Sequence, residues 1–246
     1  TTCIKILKAR LKTTGFNLAF LINFIRMKEI IKSNVPFLLP TLLFWMLLIV
    51  AVCCFNKADL HLLLNAYHTK FLDVFFKFYT EVGGWFPFVV AVGLLFYRFG
   101  AAVLIVASQL AATIPVQVLK RTIDADRPKL FFEKLAIDFP QVDGVDLHNT
   151  HSFPSGHTAA AFALFFCLSV LVFRPFYKLL FFILSLFVAF SRIYLSQHFT
   201  LDVVVGSIIG VLASMLYYYY HKKMNVSWFH KSLFCKNVAC ENKYHN

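Results

Sequence analysis

Twelve residues, Ser191 to Asp202, place a cation, an imidazole and a carboxylate between two long apolar runs. A helix starting near His198 would carry Asp202 one turn further along the same face. There a carboxylate holds the ring in one tautomer and stabilises its positive form. That is the arrangement of an oriented nucleophile or base. Arg192, His198 and Asp202 would equally satisfy one another as ion pairs at a membrane boundary, and this stretch alone leaves both readings open. Two further polar clusters sit at the ends of apolar segments. Lys120 and Arg127 are cations seven positions apart, followed by Pro128, and the run from Ser152 through Phe153, Pro154, Ser155 and Gly156 to His157 adds a hydroxyl, a glycine and a second imidazole.

Taken in order, Lys-x6-Arg-Pro from Lys120, Pro-Ser-Gly-His from Pro154 and Ser-Arg-x5-His-x3-Asp from Ser191 resemble the three-part signature of the type 2 phosphatidic acid phosphatase family. That family shares its phosphate pocket with vanadium haloperoxidases. The resemblance runs from Lys120 to Asp202 with every reactive position filled. It departs at Phe199, Thr200 and Leu201, where many relatives carry a proline before the carboxylate. The resemblance implies that His198 attacks phosphorus and forms a phosphohistidine, that Asp202 orients and balances its ring, and that His157 protonates the departing lipid oxygen.

A phosphate monoester bears about two negative charges and three acceptor oxygens, so its pocket needs cations and fixed N–H donors. Lys120, Arg127 and Arg192 would supply the charge. Ser155 and the Gly156 amide stand at the expected start of a helix, whose free N–H groups favour an anion. Gly156 would let that backbone approach closely. No carboxylate cluster suited to magnesium stands at the motif positions, so the reaction is expected to need no metal and no other cofactor.

Of 246 residues, 59% are hydrophobic and 15% charged, and the mean hydropathy is +0.70. Those values exclude a water-soluble globular domain and indicate an integral membrane protein; the resemblance implies that its fold is all-α. The formal charge of +12 is scattered among apolar runs rather than gathered on a polar surface, which argues against a nucleic-acid partner. Cys53, Cys54 and Cys167 lie inside apolar runs, where a thiol packs as a small hydrophobe. Cys235 and Cys240, with His230 and His245, match no common zinc spacing and read as reduced thiols.

Six spans are expected, at about 36–55, 84–97, 101–119, 158–173, 177–190 and 201–220, with the later ones bundled around the site. Residues 1–35 read as a basic, interfacial N-terminal segment, 36–220 as the six-span domain and 221–246 as a basic tail. Residues 56–82 carry apolar side chains at helical spacing and read as amphipathic helices at the outer surface, or as connecting helices packed on the bundle. The segment 129–151 is the longest polar loop, a candidate lid or selection surface, in which His148 and His151 are expected to be solvated and Asp124 and Asp126, just before it, to pair at the surface. With an even number of spans, fifteen basic residues fall on the side of the termini and nine on the other. The positive-inside rule then puts both termini in the cytoplasm and all three signature parts on the outer face.

The expected activity is dephosphorylation of a membrane lipid phosphate on the periplasmic side of a bacterial inner membrane. Lipid A phosphate or undecaprenyl pyrophosphate comes first, with phosphatidylglycerol phosphate or phosphatidate as alternatives. Membrane lipids are the other expected partners. A non-catalytic lipid carrier is the rival from another class, and a haloperoxidase a second rival. Loss of His157, His198 or Asp202 would have favoured the carrier, and all three are present.

Overall fold

The structure, a computed structural model, describes residues 18–224 and 226–234, and among them every regular element is a helix. Helix α1 (Leu18–Ser33) runs almost directly into α2 (Val35–Cys54), broken at Asn34. Two short helices follow, α3 (Lys57–Leu64), capped by the Asn56 side chain, and α4 (Lys70–Tyr79), capped by Thr69. A 3₁₀ turn (Thr80–Gly83) leads to α5 (Phe86–Tyr97), then α6 (Phe99–Ile123) and the short α7 (Pro128–Leu135). The chain closes with α8 (Gly156–Leu171), α9 (Pro175–Tyr194), α10 (Thr200–His221) and a 3₁₀ turn at Ser227–His230.

Four stretches are long and apolar enough to cross a membrane: α2, the run beginning with α6, α9 and α10. The run from Lys70 through α5 passes the same test only as one pair bent by 57° at the break near Gly84. Thus the stretch expected as a span from Gly84 is the second arm of a broken element. Helix α8 is apolar but has 16 residues, a rise of about 24 Å against a hydrocarbon core of about 30 Å. Its start lies beside the first turn of α10, where the Ser155 N–H meets the Asp202 carbonyl. The other helices overrun the expected spans by a few residues, so Ser191 and Arg192 belong to the last turn of α9. The polar stretch 129–151 contains most of α7, whose apolar face buries Phe132.

Helix α8 is the centre of the molecule. Its residues Ala161 to Cys167 are all buried, and α6, α9 and α10 pack around it. Close approach is made by small residues. A β-carbon on Gly206 would strike the Ser155 carbonyl, and one on Gly210 would strike the Ala159 carbonyl, so the Gly-x-x-x-Gly face of α10 lies directly on the α8 backbone. Phe37 of α2 fits edge-on among Phe162, Phe166 and Phe182, with ring centroids 6.5, 5.8 and 6.3 Å away. At one end of the bundle, buried Lys178 donates to the Ser33 carbonyl at 2.7 Å and to Asn34 Oδ1 at 3.0 Å, which satisfies an ammonium that would otherwise be costly there. The tail positions Cys235, Cys240 and His245 lie outside the described residues.

Candidate active site

The turn between α9 and α10 carries His198. Gln197 and His198 both donate their backbone N–H to the Arg192 carbonyl, at 3.0 and 3.1 Å, folding the chain back on the last turn of α9. Ser196 takes the left-handed conformation, φ 49°, a strained choice for a residue with a side chain, costing about 1–3 kcal/mol. Three contacts hold it. Asn65 Nδ2 donates to Ser196 Oγ at 2.6 Å, the His61 ring nitrogen lies 3.3 Å from the same oxygen, and Ser196 Oγ donates to the Pro140 carbonyl at 3.0 Å. Helix α3 and the loop after it thus brace the turn that presents His198.

Asp202 stands in the first turn of α10. Its Oδ2 accepts the Phe199 N–H at 3.0 Å, a cap for the helix that needs no proline at this position. The same oxygen accepts from the Ser152 hydroxyl and lies 3.4 Å from His198 Nδ1, an ion-pair distance without an aligned hydrogen bond. Its carbonyl accepts the Ser155 N–H at 2.9 Å, which ties the starts of α8 and α10 together. His198 is buried at 1% exposure. Burial pushes its ring down to about 3, with the Asp202 carboxylate opposing the shift and Arg192 adding to it, so the imidazole is neutral at neutral pH. With Nδ1 toward Asp202, the other ring nitrogen keeps its lone pair.

The cations arrive from three elements. Lys120, in the last turn of α6, donates to the His151 carbonyl at 2.7 Å. Arg127, ahead of α7, donates from Nε to the Thr150 carbonyl at 2.9 Å and from a terminal nitrogen to Gln197 Oε1 at 3.0 Å. Arg192, 6% exposed, donates to Thr80 Oγ1 at 2.7 Å and to Gln197 Oε1 at 3.4 Å, while its Nε has no partner. Gln197 in turn donates to the Asp146 carbonyl at 2.7 Å. One amide side chain therefore sets two guanidinium groups side by side.

These groups line a cleft of about 510 Å³ with Gly156, His157 and His198. Its wall also includes Lys77, Thr80, Glu81 and His148. Ser155 stands behind the wall: its hydroxyl lies 2.9 Å from Thr158 Oγ1 and caps the start of α8. The first amides of α8, those of Gly156 and His157, have no carbonyl of their own helix to bind. The arrangement offers three cations, a helix N-terminus and two imidazoles to an anion. Asp124 pairs with His151 at 2.9 Å and Asp126 with Lys134 at 2.6 Å, both near the surface. Among the described residues no group of three His, Cys, Asp or Glu side chains is placed to hold a metal ion.

Sequence reasoning singled out only the reactive positions of the three signature stretches. It did not single out Thr80, Glu81, Ser152 or Gln197. Ser152 and Gln197 stand next to signature positions, which was a usable signal; Thr80 and Glu81 carry none.

Two solved structures are similar. The crystal structure of Aquifex aeolicus LpxE aligns with a TM-score of 0.60 at 28% identity, over 68% of this chain and 98% of that one. The crystal structure of a transmembrane PAP2 type phosphatidylglycerolphosphate phosphatase from Bacillus subtilis shares the fold, with a TM-score of 0.54 at 22% identity, over 77% of this chain and 98% of that one. A search of curated proteins found no match. The model of the PAP2 superfamily matches residues 100–225, a segment that runs from α6 through the whole of α10 and contains all three polar stretches. The chain is a membrane protein of the PAP2 superfamily.

Proposed function

We propose that this protein is a lipid phosphate phosphatase that works through a phosphohistidine and needs no metal. The observation that carries the reading is convergence: Lys120, Arg127, His157, Arg192 and His198, from three separated stretches, line one cleft. The neutral His198 ring attacks phosphorus with its free nitrogen while Asp202 balances the charge that develops on it. His157 gives its proton to the lipid oxygen as the P–O bond breaks, then takes a proton from the water that hydrolyses the P–N bond. Lys120, Arg127 and Arg192 hold the phosphoryl oxygens, with the Gly156 amide at the helix start. Ser155 acts by fixing that first turn.

The topology we propose counts α8 and the bent pair as spans, giving six, with both termini in the cytoplasm and the cleft facing the periplasm across a bacterial inner membrane. The domain reading proposed above goes with it. The cleft is larger than a phosphate group, and Lys77 and His148 in its wall leave room for a polar headgroup or a second phosphate. Lipid A phosphate or undecaprenyl pyrophosphate suits that space first, and phosphatidylglycerol phosphate or phosphatidate is the alternative.

The test is phosphate release by the detergent-purified protein from these lipids, with EDTA present. Turnover of one lipid, reduced about 10⁴-fold or more in His198→Ala, is the expected result. Unchanged turnover in the variant would remove His198 from its role, and dependence on added metal would overturn the metal-free reaction.

A further inference from the structure

Glu81 belongs to none of the three signature stretches. It sits in the 3₁₀ turn between α4 and α5 and lines the same cleft as His157. A β-carbon added to Gly84 would lie 2.8 Å from Glu81 Oε2 and 3.4 Å from His157 Nε2. The carboxylate oxygen and the ring nitrogen therefore lie about one point, with no direct hydrogen bond between them, at a separation that one water spans. The turn is also fixed against the helix that carries His157. A β-carbon on Gly83 would strike the His157 carbonyl oxygen and come within 2.9 Å of Val188 Cγ1 on α9, so no side chain separates turn from helix.

The charges around His157 make that carboxylate matter. Lys120, Arg127 and Arg192 line the same cleft as this ring, and a cation opposes further positive charge placed beside it. A ring that is to protonate an alkoxide must hold its proton beforehand, among three cations. Of the two acids lining the cleft, Glu81 and Asp146, Glu81 is the one whose carboxylate flanks the ring nitrogen.

Resting on the phosphatase reading above, we propose that Glu81 is the positioning residue of the acid, holding His157 oriented and proton-bearing for the leaving lipid oxygen. As the P–O bond breaks, its electron pair goes to the lipid oxygen and the His157 Nε2 proton completes the alcohol. When water attacks the phosphohistidine, the ring recovers a proton from that water and Glu81 again faces a cation. Glu81 itself forms no bond to substrate.

A leaving-group comparison tests this. Wild type, Glu81→Gln and Glu81→Asp are assayed on a long-chain alkyl phosphate, whose alkoxide needs a proton to leave, and on 4-nitrophenyl phosphate, whose phenolate does not. We expect kcat/KM of Glu81→Gln to fall about 10²-fold on the alkyl substrate and far less on the aryl one, with Glu81→Asp restoring part of the alkyl activity. Equal losses on both substrates would overturn the proposal, because they would mean that Glu81 acts on Arg192 or on folding. No loss on either would overturn it as well. If the wild type released phosphate from neither substrate, the phosphatase reading would fall first and this proposal with it.

Discussion

A neutral imidazole kept out of water makes a protein sensitive to acid, and two such rings, His61 and His198, are buried here. Burial pushes His61 down to about 4, with Asp202 opposing the shift and Lys57 adding to it, and pushes His198 down to about 3. Both values lie below the 6.5 of a free histidine, so the unfolded chain binds more protons between about pH 4 and 6.5. The stability these rings contribute is complete above pH 6.5 and is lost as the pH falls through that window. For His61 alone the loss is about 3 kcal/mol. Thermal unfolding in detergent from pH 7 to pH 4 should therefore show a steep fall in Tm that is shallower in His61→Gln; equal slopes would remove His61 as a source. His61 was legible in the sequence only as part of an amphipathic helix, because its partners Ser196 and Phe199 lie more than a hundred positions away. His198, Asp202 and Arg192 were legible because they meet within one short stretch. Glu81 and Thr80 reach the same cleft through the bend between α4 and α5, which no local pattern announces.

At the scale of elements, the contact between α8 and α10 sets the alignment of the site. His157 opens one helix and Asp202 the other, and the two backbones touch at Gly206 and Gly210. Gly210→Ala should push the helices apart and cost about 1–3 kcal/mol. Gly93→Ala, where an added β-carbon meets nothing within 4 Å, should be neutral or slightly stabilising by helix propensity. Tm values of the two variants, with wild type alongside, check this, and equal behaviour would discount the close contact. The apolar runs made the long helices readable, since length and hydropathy alone suffice to mark them. The 57° bend near Gly83 and Gly84 was not legible, because two glycines there look equally like the edge of a span. Helix α7 escaped notice because eight residues are too few to display a helical period against a polar background.

At the scale of the whole molecule, the proposed orientation makes a labelling pattern. In a cysteine-free background, Asp143→Cys should react with a membrane-impermeant maleimide in intact cells, and Arg174→Cys only after permeabilisation. Both positions are exposed, so the reverse pattern would invert the topology. The proposed orientation rests on the uneven basic residues, whereas the packing of α6, α9 and α10 around α8 becomes visible only in the folded bundle. Asp202 links the scales. Its carboxylate faces His198, caps α10 and accepts from Ser152, and its carbonyl holds the start of α8. Descent with loss of activity would then follow an order: His198 can be replaced while the scaffold survives, whereas losing the carboxylate at 202 takes a helix cap with it. An inactive descendant of this chain that still folds should be missing the histidine and keeping the aspartate.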